Sequence, residues 1–539
     1  MMTGKTVLSQ ELSTLVFPSE DEIIEAFQLR EISFEQFLIL QELIIHGVDS
    51  TNFYLLDEIP NLSYFKLKPN SLATDLEQEQ QIPFSKLSPG RKKLITNLTG
   101  NIKHKYFHFL EDVGDAKYQS SIRLQYKNRF YTAIKIHREY SGRERIISRF
   151  VAYKNNTGYL RELILGNFSK RLGLGTAFGY RGKLFSYSTN LNSESLLYPD
   201  YGGYNGIYSR WSLNQISLQS LASISRDSEH RLISSGVMVT FNKYRFSPGV
   251  VIGVNQLKNR LNDQTFKDYK YGLYSNYKYQ KGYFSFELMG QTRKKNNIGS
   301  FVTEGRHRFR QAELKYAGWV YSDDFIDLTS GSKAGNISRT SFLEKIGFEY
   351  SDKRSDQTGA LIKTIVELDN KYELASSFIY AANNSNNSDI QWFTELTKKI
   401  HSELSISLDY LYKYNRRSGI NNDFDDTIRQ TRVEVKFVTK KLYLRSFIGY
   451  NTESENKDFL SIFLNMRFNS DSYGLLEIWS NIGEIETPSG ELGYWYGFFK
   501  NDFYLFDNLK STVKFSHTYS RSSKDKHRTL VSFEMNFLL

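Results

Sequence analysis

From about Tyr118 to Leu539, apolar residues fall on every second position, polar residues lie between them, and a turn arrives roughly every 15 to 20 residues. The stretch Leu404-Ser405-Ile406-Ser407-Leu408-Asp409-Tyr410-Leu411-Tyr412-Lys413-Tyr414 puts Leu, Ile, Leu, Tyr, Tyr and Tyr on one face. Arg432, Glu434 and Lys436 alternate with Val433, Val435 and Phe437, and Ser532, Glu534 and Asn536 alternate with Val531, Phe533, Met535 and Phe537. Side chains of a strand point to opposite faces at period two, so each segment is apolar on one side and polar on the other. A long series of such segments without helical crossovers cannot share one globular core, whereas a closed barrel with lipid outside and water inside accommodates all of them. The pattern predicts a mainly β chain: a large antiparallel transmembrane β-barrel of about 24 strands (22 to 26), at about 17 or 18 residues per strand and turn. A soluble propeller or a pair of sandwiches would need a fixed-period repeat or apolar inner faces on two sheets, and no such repeat is present.

Segments expected as strands include Ser120–Tyr126, Tyr131–His137, Ser235–Phe241, Tyr283–Gln291, Phe342–Tyr350, Leu442–Tyr450, Ile462–Phe468 and Val513–Tyr519. Four longer polar stretches, Thr189–Tyr204, Asn296–Arg306, Ser322–Arg339 and Asn415–Thr427, are expected as loops on the outer side, because barrels of this kind pair short periplasmic turns with longer external loops.

Proline separates this region from what precedes it. Pro18, Pro60, Pro69, Pro83 and Pro89 lie in the first ninety residues, and only Pro199, Pro248 and Pro488 follow; proline removes a ladder donor, so its scarcity suits a continuous sheet. Residues 1–65 read as helical, with Ser19 as a cap, Ser33 and Gln36 as a capping box, and Gly47 as a stop. Residues 66–117 read as a linker or plug segment, and 118–539 as the barrel.

Composition supports this picture. A mean hydropathy of −0.48 and the lack of any apolar run of about 20 residues exclude a helical membrane protein, while a barrel hides its membrane face from averages. The chain has 37 Tyr and 39 Phe, and tyrosine suits the headgroup level of a bilayer. Cysteine is absent, which removes disulfides, thiolate metal sites and cysteine nucleophiles. The net charge of +11 suits attraction of anions or of phosphate-bearing lipid. The start Met1-Met2-Thr3-Gly4-Lys5 lacks the apolar stretch of a secretory signal, so export implies a mature, trimmed or misassigned start.

The search for chemistry is mostly negative. Gly173-Leu174-Gly175 with Gly179 and Gly182 is followed by strand-like sequence rather than the helix of a dinucleotide site; glycines in barrel strands more often mark a bend, or a place where another segment packs against the wall. His104 and His108 are the one ligand-like histidine spacing and on a helix would share a face, but with no neighbouring Cys and only Glu111 and Asp112 as nearby carboxylates a pair of ordinary linker histidines is expected before a zinc site. Asp423-Phe424-Asp425-Asp426 reads as a solvated loop before a Ca²⁺ site. His517, on the apolar side with Val513, Phe515 and Tyr519, belongs to an interfacial girdle rather than to a nucleophile motif. No catalytic residue, metal site or cofactor is expected. Three basic clusters remain as candidates for the lumen or rim: Arg138, Arg143, Arg145 and Arg149; Arg293, Lys294 and Lys295; and Arg306, Arg308 and Arg310.

Taken together, Ile32-Ser33-Phe34-Glu35-Gln36, Leu40-Gln41-Glu42-Leu43-Ile44 and Leu55-Leu56-Asp57-Glu58-Ile59-Pro60-Asn61-Leu62-Ser63, followed by a polar linker and a large barrel, resemble the helix-hairpin-helix domain-containing outer-membrane proteins of Bacteroidetes. That family carries an early glycine-rich strand pair, matched by Gly166-Asn167-Phe168, Leu172-Gly173-Leu174-Gly175 and Gly182-Lys183. The resemblance implies a Gram-negative outer-membrane barrel with a periplasmic helical region. DNA is not expected as a partner, because the turn Asn61-Leu62-Ser63 has no glycine and the first ninety residues are acid-leaning. Expected partners are outer-membrane lipid including lipopolysaccharide, the barrel-assembly machinery, whose carboxyl-terminal signal the segment Thr529–Phe537 resembles, and a periplasmic protein. The expected function is a porin-like channel or translocation pore for a solute or polymer. A non-catalytic docking barrel, recruiting a periplasmic partner or DNA as in competence, and a rim or lumen hydrolase are the alternatives.

Overall fold

In the computed structural model the chain forms one antiparallel sheet of 24 strands that closes on itself. In chain order the strands are β1 Leu98–Phe109, β2 Lys117–Tyr126, β3 Phe130–Arg138, β4 Glu144–Lys154, β5 Leu160–Phe168, β6 Tyr204–Leu213, β7 Ile216–Arg226, β8 His230–Phe241, β9 Phe246–Asn259, β10 Thr265–Tyr279, β11 Gly282–Thr292 and β12 Asn297–Arg308. They continue as β13 Ala312–Tyr321, β14 Gln357–Glu367, β15 Tyr372–Ala382, β16 Ser388–Lys399, β17 Leu404–Ser418, β18 Asp423–Val438, β19 Leu442–Glu453, β20 Lys457–Ser470, β21 Gly474–Glu486, β22 Tyr494–Phe506, β23 Leu509–Ser520 and β24 His527–Leu538. The structure describes these strands, most residues of the short turns and, within the long connections, residues 170–179, 322–325, 328–329, 334 and 356; residues 1–97 and the other connecting residues are outside it. The expected helical region and the strand Phe342–Tyr350 therefore lie outside the described residues.

Each strand pairs with its chain neighbours, and β1 pairs with β24 from Asn101↔Leu538 to Phe109↔Leu530. Closure leaves no free edge, so the ladder satisfies the backbone without a partner chain. The barrel begins at Leu98, one strand earlier than the boundary at Tyr118 and inside the stretch read as a linker. The alternation is weak there because Gly100 and His104 share the outward face with Ile102 and Tyr106. His104 is thus a strand residue bonded through Nδ1 to the Ser120 hydroxyl at 2.8 Å, rather than half of a helical pair.

The connections sort cleanly by end. At one end all are short, among them 127–129, 214–215, 280–281 and 507–508. Asn214 in the two-residue turn adopts φ 54°, the left-handed conformation that tight hairpins favour. At the other end lie 169–203 and 322–356, the two longest connections, together with shorter ones such as 110–116 and 487–493. Of the four stretches expected as outer loops, Thr189–Tyr204 and Ser322–Arg339 belong to connections at this end and Asn415–Thr427 to the β17–β18 hairpin there, whereas Asn296–Arg306 crosses the wall to the short-turn end. Two of them are mostly strand: Asn297–Arg308 is β12, and β17 and β18 leave only 419–422 between them. Some of their polar residues, such as Glu304 and Arg306, occupy inward strand positions and others, such as Arg416 and Asp425, an exposed outward position at the rim, and a reading for loops separates neither from a turn.

The outward face carries Ile252, Leu273, Leu288 and Ile448, each half or more exposed, and aromatic side chains near both ends, including Tyr126, Phe130 and Trp211 at one and Tyr269, Tyr271 and Tyr450 at the other. Outward Trp495, His517, Tyr519 and His527 cluster at the long-connection end, with His517 hydrogen-bonded through Nδ1 to Thr529, so His517 does belong to a girdle. The inward face holds most of the buried polar side chains, such as Asp268, Lys270, Glu287, Asp409 and Arg432.

Leu273→Arg, which sets a charge at mid-height on the apolar face, is expected to destabilise the barrel in lipid vesicles by about 2–4 kcal/mol. Asn276→Arg, on the wet face of the same strand, removes only its bond from Ser285 and should cost about 1 kcal/mol. Equal costs in urea unfolding would contradict the assignment of faces.

Candidate functional site

A sheet of 24 strands encloses a lumen too wide for its own side chains to fill. One half of that lumen is occupied by two segments from the long connections. After Phe168 the chain reverses into the barrel. Lys170 reaches back to Glu162, near the start of β5, at 3.1 Å, and Arg171 meets Glu304 of β12 at 3.6 Å. Leu172, Leu174, Thr176, Ala177 and Phe178 are buried.

The turn at 172–175 is a nest of backbone N–H groups built on two glycines, Gly173 at φ +61° and Gly175 at φ +88°. The occupant of that nest is the buried carboxylate of Glu287 on β11. It accepts the N–H of Leu174 through Oε2 and the N–H of Thr176 through Oε1 at 3.2 Å. A Cβ at Gly173 would lie 2.5 Å from Glu287 Oε2, so glycine is required by both φ and space. The glycine pair that superficially resembles a nucleotide loop does cradle an anion, and the anion is supplied by the barrel wall.

Phe178 seats against the facing glycines Gly236 of β8 and Gly253 of β9, which are register partners. A Cβ on Gly236 would approach the Phe178 ring to 2.6 Å, and one on Gly253 would collide with it. Around the ring, Phe168, Tyr208, Met238, Val251 and Met289 form an apolar cluster inside the barrel. Full burial of a phenylalanine contributes about 1.5–3 kcal/mol.

The second segment, after β13, locks onto the first. Gly179 N–H donates to the Thr329 carbonyl at 2.7 Å, and the Thr329 hydroxyl donates to the Ala177 carbonyl at 2.8 Å. Asn255 Nδ2 of β9 donates to Thr329 Oγ1 at 3.0 Å, while the Tyr204 hydroxyl donates to the Gly179 and Thr329 carbonyls at 3.0 and 3.2 Å. The fully buried ammonium of Lys270 donates to the Ala177 carbonyl at 3.5 Å and lies 5.2 Å from the centre of the Phe325 ring. Phe325, Leu174, Val302, Trp319 and Tyr321 make a second apolar cluster continuous with this junction.

The other half of the lumen carries paired charges beside a buried, inward-facing aromatic run of Phe447, Phe463, Trp479, Tyr496 and Phe498. Asp409 pairs with Arg432 at 2.7 Å, Glu434 with Arg445 at 2.9 Å and Glu477 with Arg467 at 2.8 Å, a ladder across β17 to β21. It continues through Lys500 and Lys510 on Asp502, at 3.8 and 2.9 Å, to Lys103 and Lys105 on Glu534, at 2.6 and 2.7 Å.

Of the residues singled out in the sequence, Gly166, Asn167 and Phe168 lie in β5, with Gly166 at φ +102° and the Asn167 side chain accepting the Arg149 N–H. Leu172–Gly175 is not the second strand of a pair: its positive-φ glycines and the Glu287 contact turn it inward. Gly182 and Lys183 are outside the described residues. The basic clusters do not form one site. Arg149 pairs in register with outward-facing Ile134, on the face away from the lumen, because the bulge at Lys135/Ile136 sits between it and the end of β3. Arg138 and Arg145 are strand residues at the long-connection end, while Arg143, Arg293, Lys294 and Lys295 are outside the described residues. Arg306 and Arg308 do face the lumen at the short-turn end, where with Lys315 they surround Glu313, and Arg310 sits in the turn. The residues that close the lumen, Phe178, Gly236, Gly253, Lys270 and Glu287, left one trace in the sequence. Val250-Val251-Ile252-Gly253-Val254 breaks the alternation, and a strand apolar on both sides has something packed on each.

No protein-family model matches the chain, and no curated protein matches it. Among solved structures, the siderophore receptor PirA from Pseudomonas aeruginosa is similar at 10% identity with a TM-score of 0.45, over 82% of this chain and 80% of that one. The P pilus usher PapC translocation pore is similar at 8% identity and a TM-score of 0.35, over 82% and 99%. The outer membrane protein OprD from Pseudomonas aeruginosa is similar at 10% identity and a TM-score of 0.31, over 61% and 94%.

Glu287→Ala removes the occupant of the nest and leaves buried donors unmet, at a cost of about 1–3 kcal/mol each. Residues 170–179 should then exchange amide hydrogen faster, while the strand amides of β17 to β24 remain as protected as in the wild type. Unchanged exchange at 172–178 would rule out Glu287 as the anchor.

Proposed function

We propose that the chain is an outer-membrane transport barrel of a Gram-negative bacterium, closed at rest by its two inward connections and conducting when residues 170–179 leave the wall. The closed sheet with an apolar outer face and a polar inner face supports the membrane location, since strands of 9 to 16 residues are long enough to cross the hydrocarbon layer when tilted. The short turns then lie on the periplasmic side, and residues 170–179, 322–325 and 328–329 belong to connections that start from the outer end. The observation that carries the transport reading is the nature of the closure. The inward segments are held to the wall by side-chain contacts, the ion pairs of Lys170 and Arg171, the Glu287 carboxylate, Lys270, the Phe178 seat and the Thr329 junction, rather than by strand pairing. Such an element can be released without breaking the barrel.

Gly253→Leu, which fills the Phe178 seat, should therefore raise single-channel conductance in planar bilayers several-fold over a small or silent wild-type level. Preserved folding would be checked by the slower migration on heating that folded barrels show in detergent gels. A folded variant that stays silent, together with a silent variant lacking residues 170–179, would mean that the barrel is not a channel.

A further inference from the structure

The charged half of the lumen is not uniform. Across β17 to β21 the lumenal ions pair off: Asp409, Glu434 and Glu477 match Arg432, Arg445 and Arg467. From β22 through the closure to β3 the balance changes. Asp502 and Glu534 are the only carboxylates in these six strands, and they face the lumen beside Lys103, Lys105, Arg123, Lys135, Lys500, Lys510 and Lys514.

Register gives this surplus a shape. Lys510 faces Asn536, Asn536 faces Lys103, Lys103 faces Ser121, and Ser121 faces Lys135, in one row over five consecutive strands. Cations thus alternate with short hydrogen-bonding side chains, and adjacent cations stand about 10 Å apart, two strand spacings. Arg123 is one inward position along β2 from Ser121 and is exposed to the lumen, and among the described residues it and Lys135 form no ion pair with a carboxylate. On β22 and β23, Lys500 and Lys514 stand directly opposite each other, an arrangement of like charges that a bare sheet disfavours. Lys103, Lys105 and Lys510 keep roughly a third of their side chains accessible, so the row is open to solutes rather than buried in packing.

We propose that the lumenal wall from β22 to β3 is a binding track for multivalent oxyanions, with Lys103, Arg123, Lys135 and Lys510 as its cationic positions. A phosphate or carboxylate group bridging neighbouring positions takes charge-assisted hydrogen bonds from the cations and further bonds from Ser121 and Asn536. The track gives substrate class to the transport reading on which it rests: the solute drawn through is polyanionic.

Two measurements separate the claims. Titration calorimetry of the full chain in neutral detergent, with inorganic tripolyphosphate and separately with citrate, reads the track without requiring conduction. Binding of at least one is expected, weakening as salt rises. Arg123→Gln with Lys135→Gln breaks no ion pair seen in the structure and should weaken that binding about tenfold or more. Lys363→Gln, a lumenal change in the filled half of the barrel, should leave it unaltered. Binding of neither anion, or binding retained in the double variant, overturns the proposal; adding Lys103→Gln to a background confirmed as folded repeats the test if the first pair misfolds. The second measurement is the reversal potential of the Gly253→Leu barrel under a KCl gradient, expected to favour Cl⁻ and to lose that preference in the double variant. Intact binding without any conductance counts against transport alone, and conductance without anion preference counts against the track.

Discussion

Closure between β1 and β24 is the constraint from which the rest of the structure follows. Once the sheet is a ring, every strand has a hydrogen-bonded neighbour on both sides, and the two faces become an outside and an inside. The dyad alternation then has one meaning along the whole circumference: Ile102, Leu273 and Ile448 go out, and Lys103, Lys270 and Glu434 go in. A slip of one residue at any strand would exchange the faces for that strand and place charges such as Arg432 and Glu434 against lipid. Closure therefore also protects the register.

A ring of this size creates the next problem, which is what to do with the middle. Side chains alone cannot span it, so unfilled space must be either wet or packed with chain from elsewhere. Here both solutions appear on opposite walls. Where Met238, Val251 and Met289 face inward the wall is apolar, and a wet lumen there would be unfavourable; the inward segments cover it. Where Lys500, Lys510 and Lys103 face inward the side chains stay partly accessible, and water or counter-ions suit them; between the two walls Arg432 and Glu477 are buried in ion pairs beside Phe447 and Trp479.

The barrel was legible in the sequence because alternation is a local property that repeats strand after strand. Its count and sidedness followed from spacing alone. The first strand escaped because Gly100 and His104 dilute its outward face, and the strand β12 and the β17–β18 hairpin were taken for loops because their polar lumenal and rim positions have the polarity of loops. The closure of the lumen was not legible, for a different reason. Glu287 and the glycine nest at 173–175 are more than a hundred residues apart, and each is unremarkable by itself; only the curl of β5 to β11 brings them together. Among the basic residues close in sequence Arg306 and Arg308 face the lumen and Arg149 faces away from it, whereas Lys510, Lys103 and Lys135 form a row that proximity in sequence could not show, because they come from different strands.

The contacts that hold the inward segment are also of a kind that can be undone separately from the ring. Fixing each residue of residues 170–179 costs about 1–2 kcal/mol of conformational entropy. Against this stand individual contributions of similar size, the Phe178 seat, the nest on Glu287 and the hydrogen bonds at Thr329. Strand pairing is shared by neighbours on both sides and is lost only when the barrel opens, but a docked segment surrenders only its own contacts. The molecule therefore combines a cooperative wall with a weakly held interior, and motion is expected first where the fewest contacts must break at once. In this barrel that place is the segment between Phe168 and Gly179.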